Sequence, residues 1–234
     1  MRSPPTDSLW QRFQKRGLPS LLLWLDRQAM PSKVSALLRR LAGGRARIDL
    51  YFAFDDPYAA VALPGLIEMI RDRPVRLNLY PLARRGLAMD PAAAQRRVHA
   101  VRDSAALLRR QGQSLRRVSP LAAAEVCYLA EWTLYAQLQG QDPVAFADRA
   151  LRRLWRDAAD PADHVAFRRL YAECYPGLPL PDHCLRDRLD AHHRALQQRG
   201  HWDSPAAWVE GRWYFAHERL PAITDWLRRL AWLP

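Results

Sequence analysis

The chain has 234 residues, 49% of them hydrophobic and 26% charged, enough for one substantial core, and no apolar run reaches the roughly 20 residues that span a bilayer as a helix. Its three cysteines, Cys127, Cys174 and Cys184, are too few and too irregularly spaced for a disulfide framework, and none forms a C-x-x-C pair. The net charge of +12 is uneven: residues 1–47 hold ten Lys or Arg against Asp7 and Asp26, a balance of +8, and the remainder carries only +4.

This basic beginning reads as a helical extension over residues 1–47. Asp7 or Ser8 can cap a first helix with Leu9, Trp10 and Phe13 on one side and Arg12, Lys15 and Arg16 on the other. A second segment, Pro19 to Met30, contains Leu21-Leu22-Leu23-Trp24-Leu25; Asp26 closes this run without a small-residue cleavage site, so no signal peptide is expected and the cytoplasm is the default location. A third begins at Ser32, places Val34, Leu37, Leu38 and Leu41 on one face, and stops at Gly43-Gly44. Such helices pack on the main domain, lie on an anionic membrane surface, or bind a protein or RNA partner; packing is the default. Nearly all the basic residues are arginines, only Lys15 and Lys33 being lysines, and a biased base composition produces that as readily as nucleic-acid binding does.

Ile48-Asp49-Leu50-Tyr51-Phe52-Ala53-Phe54 reads as a buried strand, and Asp55-Asp56-Pro57-Tyr58 turns it into a helix. Asp56 suits an N-cap, where a side-chain oxygen accepts an orphan amide, and Pro57 suits the first helical position because it has no amide to leave unpaired. The helix continues to about Ile70 with a kink expected at Pro64. Val75 to Tyr80 alternates as a second strand that Pro81 is expected to end. Strand, helix and strand of these lengths imply a parallel βαβ unit.

From Asp90 to about Leu185 the pattern is helical throughout, clearest over Arg102 to Arg110, Ala122 to Leu138 and Ala145 to Trp155, and it reads as an all-α insertion. His183, His192, His193 and His201 surround Cys184 at spacings that match no zinc pattern, and no metal site is expected. Asp187 to Arg199 forms another helix. Pro205 opens the first strand of a hairpin, a position where a cis peptide is unsurprising, with two apolar runs up to Val209 and from Arg212 to Phe215 separated by Glu210-Gly211, and a last amphipathic helix runs from about Glu218 to Trp232.

The order βαβ, helical block, helix, hairpin, helix is that of a thioredoxin fold with a helical insertion over residues 48–232. Within it, Phe52-Ala53-Phe54-Asp55-Asp56-Pro57-Tyr58 resembles the F-D-F-S-S-P-Y opening of the DsbA-like thioredoxin superfamily, in its 2-hydroxychromene-2-carboxylate isomerase and kappa-class glutathione transferase branch. Asp203 to Leu220 resembles, without a gap, the branch's G-V-P-T-F-V-V-D-G-E-L-F-W-G-Q-D-R-L pattern, and Tyr80-Pro81-Leu82 and Val101-Arg102-Asp103 look like further positions of it.

The resemblance implies an α/β thioredoxin-like fold, glutathione as cofactor, and a small-molecule thiol or aromatic acid as ligand. Tyr58, the Ser204-Pro205 strand edge, Glu218 and Arg219 are the implied ligand-binding positions, with Arg84 and Arg85 nearby as the basic contacts; a homodimer is left open. In the branch, a serine before the proline hydrogen-bonds the glutathione sulfur; in the disulfide oxidoreductases a cysteine of C-P-x-C stands there. Here the two places hold Asp56 and Ala59, so dithiol exchange at this corner lacks both sulfurs. A capping aspartate is expected to be ionised at neutral pH, and would repel a thiolate about 4 Å away by roughly 4 kcal/mol at an effective dielectric near 20. Three roles then stay open for the corner: general-base work by Asp56 with its pKa raised by Asp55, a substrate that needs no thiol, or a catalytically silent binding module.

Overall fold

A computed structural model describes residues 30–86 and 90–234. The helices expected at Asp7 to Arg16 and from Pro19 onward lie outside the described residues, apart from the second one's final residue. The described chain opens with α1 (Met30–Leu41), then β1 (Ala46–Ala53), α2 (Ala59–Ile70) and β2 (Val75–Leu82). Five helices follow: α3 (Ala93–Arg110), α4 (Ala123–Leu138), α5 (Val144–Leu151) running into a π-helical turn at Arg152–Arg156, α6 (His164–Cys174) and α7 (Arg186–Gln198). The chain closes with β3 (Ala206–Val209), β4 (Arg212–Phe215) and α8 (Leu220–Arg229).

The sheet has the order β2-β1-β3-β4. β1 and β2 are parallel, in register from Ala46 opposite Val75 to Ala53 opposite Leu82, as a strand-helix-strand connection requires. β3 runs antiparallel to both β1 and β4. Its hairpin turn holds Glu210 and Gly211, both at positive φ, the backbone that matches the twist of the flanking strands. Successive side chains of β1 point to opposite faces. Ile48, Leu50 and Phe52 join the main core with Leu63 and Leu66 of α2, Trp132 of α4 and Ile223 and Leu227 of α8, whereas Tyr51 and Ala53 meet Leu82, Ala206 and Leu196 of α7 on the other face. The helical block between β2 and β3 is anchored at the site: Trp155 donates its indole N–H to the Phe54 carbonyl at 3.0 Å.

Two local expectations need adjustment. Pro81 does not end β2; it pairs with Phe52 inside the strand. β2 is an edge strand, and on its outer side a missing amide costs no ladder bond. The second change concerns α1. Its apolar residues Val34, Leu37, Leu38 and Leu41 face outward, and the face turned to the domain holds Ala36, fully buried, and Arg39, paired with Glu210 at 2.6 Å.

Candidate functional site

At the carboxyl end of β1 the chain turns through Phe54, Asp55, Asp56 and Pro57 into α2. The α-helical pattern begins at Ala59, two residues later than the cap position suggests, because Ala59 and Ala60 first bond back to the Asp56 and Pro57 carbonyls in a tighter turn. The capping interaction is nonetheless present: the Tyr58 N–H donates to Asp56 Oδ1 at 3.1 Å. Asp56 is fully buried and Asp55 is 5% exposed.

Three carboxyl groups converge on Arg85, which the sequence offers together with Arg84 as a candidate basic contact. Its Nε lies 3.7 Å from Asp56 Oδ1 and 3.4 Å from Asp203 Oδ1, and its backbone N–H donates to both oxygens of Asp55, at 3.0 and 3.3 Å. The guanidinium also sits 4.9 Å from the centre of the Tyr58 ring. Burial opposes its charge, but Asp56 and Asp203 outweigh burial and its pKa is raised. Asp56 Oδ2 and Arg85 Nη1 are both buried without a hydrogen-bond partner.

Burial pushes the Asp56 carboxyl up to about 7, with Asp203 and Asp55 raising it further and Arg85 and Ser204 opposing. Burial likewise pushes Asp55 up to about 6 against the Arg85 N–H and the charges of Arg85 and Arg97. Asp56 is therefore held near half ionisation at neutral pH, where the cap alone favours the anion. Cap amides favour the anion, but full removal from water costs more. The coupling to Asp55 foreseen as the cause is real and secondary to burial.

The loop before β3 closes the site. Ser204 and Pro205 are joined by a cis peptide, the Ser204 hydroxyl accepts the Ala53 N–H at 3.1 Å, and the Ser204 N–H donates to Asp203 at 2.8 Å. On the other flank the Tyr58 hydroxyl donates to Asp103 of α3 at 2.9 Å, and His217 stacks on the Tyr58 ring at 3.9 Å. Burial lowers the His217 pKa, and its Nδ1 is buried without a partner.

Beside this cluster opens a cleft of about 450 Å³, walled by Asp55, Arg84, Arg85, Arg97, Trp202 and Asp203 among others. It lies where the parallel strands β1 and β2 end, the place where ligands bind in many α/β sheets. Asp55 reaches the cleft and Asp56 lies behind it. Arg85 is held by Asp56 and Asp203, whereas Arg84 and Arg97 make no ion pair with a described residue. Trp202 is 52% exposed at the wall.

Of the sequence-derived positions, the fold gathers Asp55, Asp56, Tyr58, Ser204 and Pro205 around Arg85, and Arg84 into the cleft. Glu218 and Arg219 are not brought in. Their amides both bond to the Phe215 carbonyl, a turn that points His217 inward and leaves those two side chains in solvent, with Glu218 reaching the site only through His217 at 3.6 Å. Asp103, Asp203 and His217 lie within stretches that carry the family resemblance, and nothing in the sequence singles any of them out. Among the described residues no group of three or more His, Cys, Asp and Glu side chains could hold a metal ion, and the three cysteines are free. Burial pushes the Cys127 thiol up to about 11.

No protein-family model and no curated protein matches the sequence. Solved structures do match its fold. A 2-hydroxychromene-2-carboxylate isomerase aligns at 15% identity with a TM-score of 0.53, over 79% of this chain and 96% of its own. A probable DsbA oxidoreductase of Streptomyces coelicolor aligns at 14% identity and TM-score 0.60, over 80% and 90%. The cytosolic disulfide reductase DsbM of Pseudomonas aeruginosa, solved with GSH, aligns at 16% identity and TM-score 0.57, over 80% of this chain and all of its own. At these identities the likeness establishes the architecture: a DsbA-like thioredoxin fold with a helical insertion.

Proposed function

We propose, from this DsbA-like thioredoxin fold and the arginine-lined cleft at its β1 corner, that the protein binds a small anionic ligand of the glutathione class and acts on it, or on a bound aromatic acid, by proton transfer rather than by dithiol exchange. The carrying observation is the cleft itself, which Arg84 and Arg97 line together with Asp55, whose carboxyl burial pushes up to about 6. Arg84 and Arg97 offer charge to the ligand's carboxylates. Asp55, at the wall, is the group placed to touch the ligand, and a pKa of about 6 suits a general acid or base near neutrality. Asp56 acts from behind. Near pH 7 about half its population is protonated, so the repulsion it would exert on a bound thiolate is relieved to that extent. The GSH bound by the Pseudomonas neighbour supports the ligand class, and the cytosolic setting of that neighbour supports a cytoplasmic location.

Calorimetric titration with glutathione and with S-methylglutathione tests the reading. Binding in the millimolar range or tighter, weakened about tenfold or more by Arg84→Ala combined with Arg97→Ala, is expected from loss of two charge-assisted contacts. Absence of binding by the wild type and by Asp56→Ser alike would sink it. A stronger response to glutathione than to its S-methyl analogue after Asp56→Ser would assign the Asp56 position to the sulfur.

A further inference from the structure

Helix α1 is docked with its polar side inward. The face against the domain carries Ala36, fully buried, Arg39 bound to Glu210 at 2.6 Å, and Arg40 donating to the Ala231 carbonyl at 2.7 Å. At 100° per residue Val34, Leu37, Leu38 and Leu41 fall within an arc of about 100° on the opposite side. They are 52%, 48%, 62% and 76% exposed, whereas a helix that only packs would turn such a stripe into the core. Exposed Lys33 flanks the stripe, and residues 30–47 contain Lys33, Arg39, Arg40, Arg45 and Arg47 without one acidic residue.

We infer that this face docks in the plane of an anionic phospholipid bilayer. An apolar stripe alone suits many partners; the charge selects among them. Residues 1–47 hold +8 of the total +12, and the upstream sequence repeats the same combination, with Leu9, Trp10 and Phe13 beside Arg12, Lys15 and Arg16, and Leu21 to Leu25 beside Arg27. Apolar residues interleaved with cations over nearly fifty positions fit an extended, negatively charged, deformable surface better than a single protein groove. The helix is 12 residues long, and among the described residues no helix is long and apolar enough to cross a membrane, so α1 lies on the surface. Its partner Glu210 sits at the hairpin turn beside the amino end of β1, whereas the cleft lies at the carboxyl end. Docked in this way, the protein keeps its cleft turned toward water. The inference does not depend on what the cleft binds.

The full chain is to be sedimented with vesicles of phosphatidylcholine alone and with vesicles rich in phosphatidylglycerol, at low and high salt. The wild type is expected to partition at least about tenfold better onto the anionic vesicles, with most of the gain lost at high salt. Leu37→Ser/Leu38→Ser/Leu41→Ser, all at solvent-facing positions, is expected to lower partitioning about tenfold or more while the melting temperature stays unchanged. Leu41→Ser alone, at the most exposed position, gives a smaller loss and serves if the triple variant unfolds. Wild type that stays in the supernatant, equal binding to both vesicle types, or serine variants that bind undiminished would each overturn the inference. So would a dimer in light scattering that the triple variant dissolves, which assigns the face to a second copy, or RNA binding in place of vesicle binding.

Discussion

At the amino end of β1 the acids Asp49 and Glu210 each have their own arginine; at the carboxyl end three carboxyl groups share one. Asp49 accepts from the Asn78 amide at 2.7 Å and pairs with Arg199 at 3.3 Å, and Glu210 accepts from Arg39 and from the Arg47 N–H at 2.6 and 2.7 Å. Arg199 and Arg39 are partly exposed, their side chains 44% and 33% accessible. Asp56 and Asp203 both pair with the Arg85 guanidinium, Asp55 accepts from the Arg85 N–H, and Asp56 is fully buried. Matched charges near water make a clamp. Mismatched charges away from water make a proton store, because protonation is the cheapest way to remove an uncompensated buried anion.

The largest effect that could break this contrast is Arg85→Leu. It removes the guanidinium paired with Asp56 and Asp203, while Asp55 keeps the backbone N–H, and is expected to cost about 3–5 kcal/mol at pH 8, the range for breaking a buried pair from one side. The loss should be smaller near pH 5, where Asp55 and Asp56 can take up protons in place of the guanidinium. Urea unfolding at the two pH values measures it, and equal losses would mean that the carboxyl groups are not coupled to Arg85.

Asp56→Asn comes next. The folded pKa, about 7, lies above the ordinary 3.8 of the unfolded chain, so the folded state holds the proton more tightly. Its contribution is complete below about pH 4 and is lost as pH rises through 7. The wild type should therefore melt lower at pH 8 than at pH 5. The amide, which carries no charge, should flatten that dependence and raise the pH 8 melting temperature by several degrees, since about 1 kcal/mol corresponds to about 2–4 °C at this size. A variant that melts lower than wild type at pH 8 would show that the Arg85 pair outweighs desolvation. The same sign governs ligands. Protonating Asp55 and Asp56 leaves Arg84 and Arg97 less opposed, so affinity for an anion such as glutathione should rise about tenfold or less from pH 8 to pH 5.5. Calorimetry across that range, with Asp55→Asn/Asp56→Asn as the pH-flat comparison, tests this.

The amino-acid pattern makes one half of the contrast legible. The apolar run from Ile48, the Asp-Asp-Pro break and the Glu210-Gly211 turn locate both ends of β1, because periodicity and turn chemistry are local. The position of Asp56 is equally legible, through its place in the motif. Its protonation is not: burial and the approach of Asp203 belong to the tertiary fold, and local chemistry favours the opposite sign. The same limit explains Glu218 and Arg219, which match a motif position while their backbone turn points them to solvent. For α1, the helical spacing identifies the stripe at Val34, Leu37, Leu38 and Leu41. Which side faces inward is decided by Glu210 and the Ala231 carbonyl, far along the chain.

The smallest expected effect sharpens the comparison from the clamp side. Arg39→Ala removes the cation from Glu210, yet Glu210 Oε1 keeps the Arg47 N–H, and the lost pair is partly open to water. A pair of that kind contributes about 1 kcal/mol or less, and salt screens it. The variant should therefore lose little stability in dilute buffer and almost none relative to wild type at about 1 M NaCl, where the screening length falls to about 3 Å. Arg85→Leu should keep most of its penalty in the same salt, because water and ions do not reach Asp56. If Arg39→Ala proves as costly and as salt-resistant as Arg85→Leu, α1 is bound to the domain by more than its polar side. The two ends of β1 would then differ in geometry and not in how they store charge.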